Sequence, residues 1–206
     1  MAASFPRPAR AGARRSGSRF RRSIIVANDT SARLARLIDE ADIRDCLARF
    51  SRGMDRFDRE LYRSAFHEDA QMAAGPFVGR AWDCYEWAMP MHEAGQELTH
   101  HALLNCTIDI LGDTAHGETY YLFVARNRDG SLMQAGGRYI DRLERRDGAW
   151  KIALRTNLIE WSCLPPALPL PFGDVPDIAG NGVSARDRGD PSYQRPLVNR
   201  RAASRP

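Results

Sequence analysis

Apolar residues recur at helical spacing in the first part of the chain. The polar cluster Asn28 to Ser31 offers side-chain oxygens for an N-cap, and apolar residues follow at positions 34, 37, 38, 41, 47 and 50. This spacing predicts a long amphipathic helix that begins near Ser31. Asp58 is placed to cap a second helix. The stretch from Ala81 to Ala94 predicts a third helix, or a helical pair broken by Pro90.

Strand alternation replaces the helical pattern after Gly95. Turn signals at 112–113, 129–130 and 147–148 separate four segments rich in β-branched and aromatic residues, at about 98–110, 115–126, 132–144 and 149–161. A short extended stretch precedes them at about 71–78. The order predicts an α+β fold: a curved antiparallel sheet, made of a four-strand meander plus a short strand, wraps around three N-terminal helices in a cone-shaped domain. Gly136 and Gly137 predict a bulge within the sheet.

Charge is distributed unevenly along the chain. Residues 1–28 carry seven arginines and no acid, and residues 183–206 carry six arginines and two aspartates, which leaves −7 for residues 29–182. We therefore predict a disordered basic N-terminal extension at 1–28, a folded domain at 29–162 and a Pro/Arg-rich, mostly irregular extension at 163–206. The N-terminal extension also has the composition of an organellar transit peptide, and this alternative stays open. The C-terminal extension either crosses the pocket mouth or is disordered.

Several classes of protein are disfavoured by composition and motifs. The basic charge lies in the tails, which argues against specific nucleic-acid binding. No apolar run approaches the roughly 20 residues of a membrane span. The four cysteines, at 46, 84, 106 and 163, form no CxxC unit, which predicts reduced cysteines in a cytoplasmic protein. No HxH or HExxH motif and no Gly-rich phosphate loop is present, so we expect neither a metal nor a cofactor.

Four stretches of the chain resemble the SnoaL-like branch of the nuclear transport factor 2-like superfamily. They are Asp42 to Asp55, Phe66 to Ala70, Thr99 to Asn105 and Tyr139 to Lys151. The resemblance covers about residues 31–162. Among the members of this branch, the chain resembles those similar to scytalone dehydratase and to dehydrochlorinases. It supports the fold predicted above. It does not single out one reaction, because the superfamily also contains isomerases, cyclases and proteins without catalysis.

The resemblance implies an acid/base dyad of Asp55 and His101. The carboxylate would fix the tautomer of the imidazole, which could then take a proton from a carbon atom. We expect both side chains to enter one cavity. Strand alternation puts His100 and His101 on opposite faces, and His101 shares its face with Asn105, a partly polar set that suits a pocket. Two alternatives stay open: His100 is the pocket residue, or Asp55 is a solvated acid.

The resemblance also implies further site residues. Arg155 falls where dehydrochlorinase-like relatives place an arginine that stabilises departing negative charge, although in an Arg-rich chain a structural role is an alternative. Phe50 stands where some dehydratases carry Tyr or Lys, and because it cannot donate a proton, a tyrosine at 120, 121 or 139 would have to replace that donor. We expect the substrate-binding set to be Phe50, Trp82, Trp87, Met91, Asn105, Tyr120 and Tyr139.

The sequence thus predicts a cofactor-independent lyase or isomerase that removes a proton from a small hydrophobic metabolite, including polycyclic or aromatic ones, and eliminates a leaving group. One alternative is a binding or accessory protein with the same pocket and no catalysis. Another is the small subunit of a ring-hydroxylating oxygenase, which would need an iron-bearing partner. We further expect a homo-oligomer, a dimer or trimer, with no specific nucleic-acid partner and no membrane association.

Overall fold

The architecture is known from a computed structural model that describes residues 30–203, so the predicted extension at 1–28 lies outside the described residues. Within them, helices and strands follow one another in the order α1 (Thr30–Asp55), α2 (Arg59–Ser64), β1 (Phe66–Ala74), β2 (Phe77–Arg80), α3 (Ala81–Gly95), β3 (Gln96–Leu111), β4 (Thr114–Asn127), β5 (Leu132–Arg146) and β6 (Ala149–Cys163). The fold is mixed α+β with an unclosed curved sheet, in agreement with the predicted class. No described helix is long and apolar enough to cross a membrane.

The helices pack on one face of the sheet. The second half of α1 buries an apolar stripe that includes Ile43, Leu47 and Phe50, whereas Leu34, Leu37 and Ile38 in its first turns are more than half exposed. Asp58 caps α2 as predicted, since its side chain accepts a hydrogen bond from the Leu61 backbone N–H at 3.1 Å. The third helix is continuous through Pro90, so of the two predicted alternatives the single helix is confirmed and the broken pair is not.

The sheet contains six strands in the order β2-β1-β6-β5-β4-β3. From β3 to β6 each strand pairs antiparallel with the next. The stretch predicted as one short strand is a hairpin: β1 pairs antiparallel with β2 and parallel with β6. Gly75, at φ 56°, adopts the left-handed conformation in its turn, which favours glycine. The hairpin brings β1 beside β6 and closes one side of the core.

A bulge interrupts the first long strand, β3. Leu103 pairs with Tyr121 and Cys106 pairs with Thr119, so two residues of β3 oppose one residue of β4. The inward face therefore passes from His101 and Leu103 to Cys106, and simple alternation fails beyond this point. The prediction that Asn105 shares the inward face of His101 is wrong for this reason, and Asn105 is exposed.

The predicted irregularity at Gly136 and Gly137 is confirmed, with the extra residue on β6. Gly136 pairs with Trp161 and Gly137 with Ile159, so one residue of β6 has no partner. A Cβ atom at Gly137 would lie 1.9 Å from the Leu158 carbonyl oxygen. Only glycine allows the two strands to approach this closely.

The C-terminal segment contains a short 3-10 turn, Pro191–Tyr193, and is otherwise irregular from 164 to 203. Its residues 185–193, here called the C-terminal strap, are bound to the folded domain. The Tyr193 hydroxyl donates to Asp58 Oδ2 at 2.8 Å, and the Tyr193 ring lies 4.5 Å from the Arg52 guanidinium carbon. Arg56 Nε lies 3.5 Å from the largely buried Asp190 carboxylate. The strap thus lies against the end of α1 and the start of α2.

Candidate active site

Asp55 and His101 meet where the first helix ends against the first long strand. Asp55 is the last residue of α1, and His101 lies on the inward face of β3, six positions into the strand. Their side chains are joined by a hydrogen bond of 2.6 Å between His101 Nδ1 and Asp55 Oδ1. Each residue is 9% exposed. The fold therefore brings together two residues that are 46 positions apart in the sequence.

The Asp55 carboxylate is held by three hydrogen bonds. Besides the imidazole, its Oδ1 accepts from the Thr99 hydroxyl at 3.0 Å, and its Oδ2 accepts from the His101 backbone N–H at 2.9 Å. Ser51 on the preceding turn donates its hydroxyl to the His101 carbonyl. Because the carboxylate accepts the Nδ1 proton, the other imidazole nitrogen, Nε2, carries a lone pair in the neutral ring. The arrangement orients a base.

A cavity of about 280 Å³ opens in front of His101. This size lies near the lower end of the range for small-molecule sites. Its wall is mainly apolar and aromatic and includes four residues of the predicted binding set: Phe50, Trp87, Met91 and Tyr139. The His101 ring packs 4.8 Å from the Phe123 ring and 6.2 Å from Phe50, measured between centroids. An apolar molecule is therefore the natural occupant.

Asp55 lies behind His101 rather than in this cavity, so the expectation that both side chains enter one cavity is wrong. The carboxylate faces a separate cleft of about 310 Å³ that is also lined by Ser51, Arg52 and Ser192 of the strap. Hydrogen bonds from the Thr99 hydroxyl and the His101 backbone N–H hold the carboxylate there, behind the imidazole. Of the two groups, only the imidazole can touch a molecule in the cavity.

Tyrosines and an amide supply most of the remaining polarity of the cavity. The rings of Tyr121 and Tyr139 stack with centroids 4.4 Å apart, and Asn157 lies beside them on β6. Burial raises the pKa of both phenols above the usual value, so each remains a hydroxyl donor at neutral pH. Asn157 Oδ1 is buried without a hydrogen-bond partner among residues 30–203. Sequence analysis missed Asn157 as a site residue, since nothing in its neighbourhood distinguishes it.

Arg155 does not line the cavity. Its side chain is completely buried, with Nε and Nη2 each 2.7 Å from an oxygen of Asp141. The guanidinium carbon lies 4.1 Å from the ring centroid of Phe50 and 4.3 Å from that of Tyr139, both of which face the cavity. The expected contact between Arg155 and departing charge is therefore wrong: two aromatic rings stand at its faces, Asp141 accepts from Nε and Nη2, and Nη1 is buried with no hydrogen-bond partner among residues 30–203.

Three other residues of the predicted binding set lie away from the cavity. Asn105 is turned outward by the bulge in β3, and Tyr120 is 46% exposed on the outer face of β4. Trp82 packs under the Arg63 guanidinium, whose carbon lies 4.8 Å from the indole ring. His100, the alternative to His101, is exposed. A pattern of residue types cannot distinguish the two faces of a strand once a bulge has changed their order.

A second, wider depression of about 740 Å³ lies on the outside of the molecule beside β1. Part of its charged lining is paired: Arg146 Nη1 lies 2.7 Å from Asp69 Oδ1, and the His67 ring contacts the Glu144 carbonyl at 2.9 Å. Lys151 adds one cation. This depression holds no base oriented toward an enclosed space. Across residues 30–203 no cluster of His, Cys, Asp and Glu side chains is arranged to hold a metal ion.

The family model of the SnoaL-like domain matches residues 35–156. The chain therefore belongs to the SnoaL-like domain family, within the nuclear transport factor 2-like superfamily. No sequence among proteins of curated function matches it.

Solved structures share the fold at low sequence identity. A hexachlorocyclohexane dehydrochlorinase (LinA, type 2) superposes with a TM-score of 0.62 at 19% identity, over 68% of this chain and 98% of that one. A protein of Novosphingobium aromaticivorans provisionally named scytalone dehydratase gives 0.58 at 21% identity, over 68% and 97%. A provisionally named aromatic ring hydroxylase of the same organism gives 0.57 at 21%, over 63% and 94%. At these identities the likeness concerns the fold alone.

Proposed function

We propose that the protein is a cofactor-independent lyase or isomerase that acts on a small, largely apolar metabolite, including polycyclic or aromatic ones. One observation carries the proposal: a buried carboxylate–imidazole pair, Asp55 and His101, presents a free imidazole nitrogen to an apolar cavity. The family membership and the likeness to proteins named as a dehydrochlorinase and a scytalone dehydratase support it. We place this activity in the cytoplasm, as expected for four free cysteines.

In the proposed reaction His101 Nε2 removes a proton from a carbon atom next to a leaving group or an electron-withdrawing group. The C–H electron pair becomes a double bond, and the leaving group departs with its own bonding pair. Asp55 stabilises the imidazolium that forms. In an isomerisation, the same imidazolium returns the proton to another carbon atom. Tyr121 and Tyr139 are the hydroxyl donors for the departing group or the enolate, in place of the residue that Phe50 cannot supply.

A substrate-independent probe tests the base. 5-Nitrobenzisoxazole opens to coloured 2-cyano-4-nitrophenolate when its C3–H proton is removed, and it fits a small apolar cavity. We expect the protein to accelerate the opening and His101→Ala to abolish the acceleration. His100→Ala is the matched control, because that ring is exposed on the other face of the same strand. Equal rates for the protein and His101→Ala would leave the imidazole without a catalytic role.

Binding without catalysis is the second candidate, and the position of Arg155 favours it. The only arginine that was expected to meet departing charge is bound to Asp141 behind two rings. A pocket whose donors are neutral hydroxyl and amide groups could serve recognition alone. In that case the His101→Ala variant should bind apolar ligands within a modest factor of the unchanged protein. The oxygenase-subunit alternative has support from fold likeness to a provisionally named ring hydroxylase, and no site residue argues for it.

We also propose that the protein is a homo-oligomer, a dimer or trimer, that associates through the outer face of the sheet. Leu104, Tyr120, Leu154 and Leu158 are 56%, 46%, 40% and 38% exposed on that face. Apolar side chains grouped on one sheet face commonly mark an interface. Sedimentation of the protein, compared with a Leu104→Arg variant, tests the proposal. A monomer at micromolar concentration would reject it.

A further inference from the structure

A second imidazole, His92, lies in the same cavity and has no part in the proposed proton removal. It is in the last turn of α3, and it lines the cavity beside His101. Its centroid is 6.2 Å from that of His101 and 6.0 Å from that of Phe123. No element of the dyad requires a histidine there. In a cavity whose wall is mainly apolar, a polar ring at this position needs its own explanation.

Gln96 determines which nitrogen of His92 carries the proton. His92 Nδ1 lies 2.5 Å from Gln96 Oε1, a carbonyl oxygen that can only accept, so Nδ1 is the donor. The proton of a neutral imidazole is then on Nδ1, and Nε2 carries the lone pair. No residue between 30 and 203 donates a hydrogen bond to Nε2. The ring therefore presents a free acceptor to the cavity.

The surroundings keep this imidazole neutral. Burial lowers the pKa of His92 below its usual value, and the positive charge of Arg186 acts in the same direction, against the hydrogen bond with Gln96 and the more distant Asp55. At neutral pH the ring is thus an acceptor at Nε2 and not a second acid. This differs from His101, whose Nδ1 proton is held by a carboxylate and which is built to take up a proton.

The C-terminal strap fixes the backbone that carries this acceptor. Arg186 Nη1 donates to the carbonyl oxygens of His92 and Gln96, at 2.8 Å each, and so holds the end of α3 together. The guanidinium also lies 4.6 Å from the ring centroid of Phe57. A cation bound to the carbonyls at a helix C-terminus is favourable. The position of the His92 ring is therefore determined from two sides, by Gln96 and by Arg186.

We propose that His92 Nε2 is the acceptor for a hydroxyl or N–H group of the substrate. The substrate class is then an apolar, ring-sized molecule that carries one hydrogen-bond donor apart from the carbon atom that His101 deprotonates. The inference rests on the proposed function only in taking this cavity as the substrate site. A molecule of the same shape without the donor leaves the buried acceptor unpaired, and it is rejected for that reason.

Paired probes test the acceptor. 2-Naphthol and 2-methylnaphthalene have nearly the same shape, but only the first can donate a hydrogen bond. We expect His92→Phe to reduce the preference for 2-naphthol, measured as the ratio of the two dissociation constants by fluorescence titration, by about tenfold. His100→Phe, on the exposed face of β3, is the matched control and should leave the ratio unchanged. The proposal would be overturned if His92→Phe left the ratio unchanged, or if the preference for 2-naphthol were lost only in His101→Phe.

Nuclear magnetic resonance of the ¹⁵N-labelled imidazoles gives a second answer, and in the unchanged protein this answer does not depend on how a variant folds. At pH 7 the unchanged protein should show His92 as the neutral ring with the proton on Nδ1, and Gln96→Leu should remove this preference. A His92 ring protonated on Nε2 contradicts the proposal. The proposed function is tested by a different measurement, the rate of proton removal from 5-nitrobenzisoxazole in His101→Ala. Failure of the proposed function and failure of this inference can therefore be told apart.

Discussion

Two buried pairs, Asp55 with His101 and Asp141 with Arg155, lie on the same side of the sheet and differ in what they leave free. Asp141 and Arg155 are 1% and 0% exposed, and their atoms face each other and two aromatic rings. In the other pair Asp55 accepts three hydrogen bonds, and the far nitrogen of His101 faces a cavity. A buried ion pair has a chemical role only when one of its atoms remains accessible to a ligand.

The difference also separates stability from activity. Removing one partner of a fully buried pair leaves an uncompensated charge in the core, and this destabilises the fold. Removing His101 mainly takes away a group that the cavity presents. We therefore expect the two pairs to fail in different assays, the first pair in turnover and the second in stability.

The largest effect is expected at the dyad. Asp55→Asn should reduce proton removal from 5-nitrobenzisoxazole by about 10²–10⁴-fold, because the amide cannot stabilise the imidazolium. The double variant Asp55→Asn with His101→Ala should lose little more of the proton-removal rate than either single variant, as expected for two groups that act as a unit. The amide has one accepting oxygen, so one of the three hydrogen bonds of Asp55 breaks, at about 1–3 kcal/mol of stability. If the double variant lost rate by the product of the two single losses, Asp55 and His101 would act independently, contrary to the prediction.

The next effect concerns the other pair. Arg155→Met should lower the free energy of unfolding in urea by about 3–5 kcal/mol, because Asp141 remains charged and buried without its partner. The double variant Arg155→Met with Asp141→Leu should recover much of this loss. We expect this double variant to keep its proton-removal rate within about tenfold, since neither residue lines the cavity. If the double variant folded but had lost its proton-removal activity, Arg155 or Asp141 would have a catalytic role after all.

A smaller effect is expected at the C-terminal strap, which covers the back of Asp55. Asp190 accepts hydrogen bonds from the backbone N–H groups of Ala185 and Ser192, at 2.9 Å each. Asp190→Asn should loosen the strap and reduce the hydrogen-exchange protection of these two amides by about tenfold or more. The exposed Asp187, whose carboxylate accepts from the Gly189 N–H at 2.7 Å, offers a matched control. Equal effects of Asp187→Asn and Asp190→Asn would show that the strap is not anchored through Asp190.

Acid should release the strap without a mutation. Burial would raise the pKa of Asp190, but hydrogen bonds from Ser192 and Ala185 and the charge of Arg56 lower it from 3.8 to about 2. A carboxylate with a lowered pKa stabilises the bound strap above pH 4, and the contribution is lost as the pH falls from about 4 to 2. The protection of the Ala185 and Ser192 amides should follow this window. In Asp190→Asn the same amides should show no transition there.

Much of the fold could be predicted from the sequence because its signals are local. Periodicity located α1, and the turn pairs located the four long strands to within a few residues. The hairpin of β1 and β2 was predicted as one strand, since Gly75 and Pro76 form a turn too short to separate two patterns. The length of the irregular C-terminal segment was predicted, but its contacts with Asp58 and Arg52 were not, because they depend on distant partners.

The sequence by itself determined which residues were available for chemistry. An aspartate that ends a helix and a histidine that begins a strand follow from local patterns and a family resemblance. Only the tertiary structure decided which of these groups has an accessible atom. The bulge in β3 turned Asn105 outward, Asp141 sequestered Arg155, and α3 brought His92 into the cavity. The physical reason is that burial and hydrogen-bond partners are properties of residues far apart in the chain, and a pattern of neighbours does not contain them.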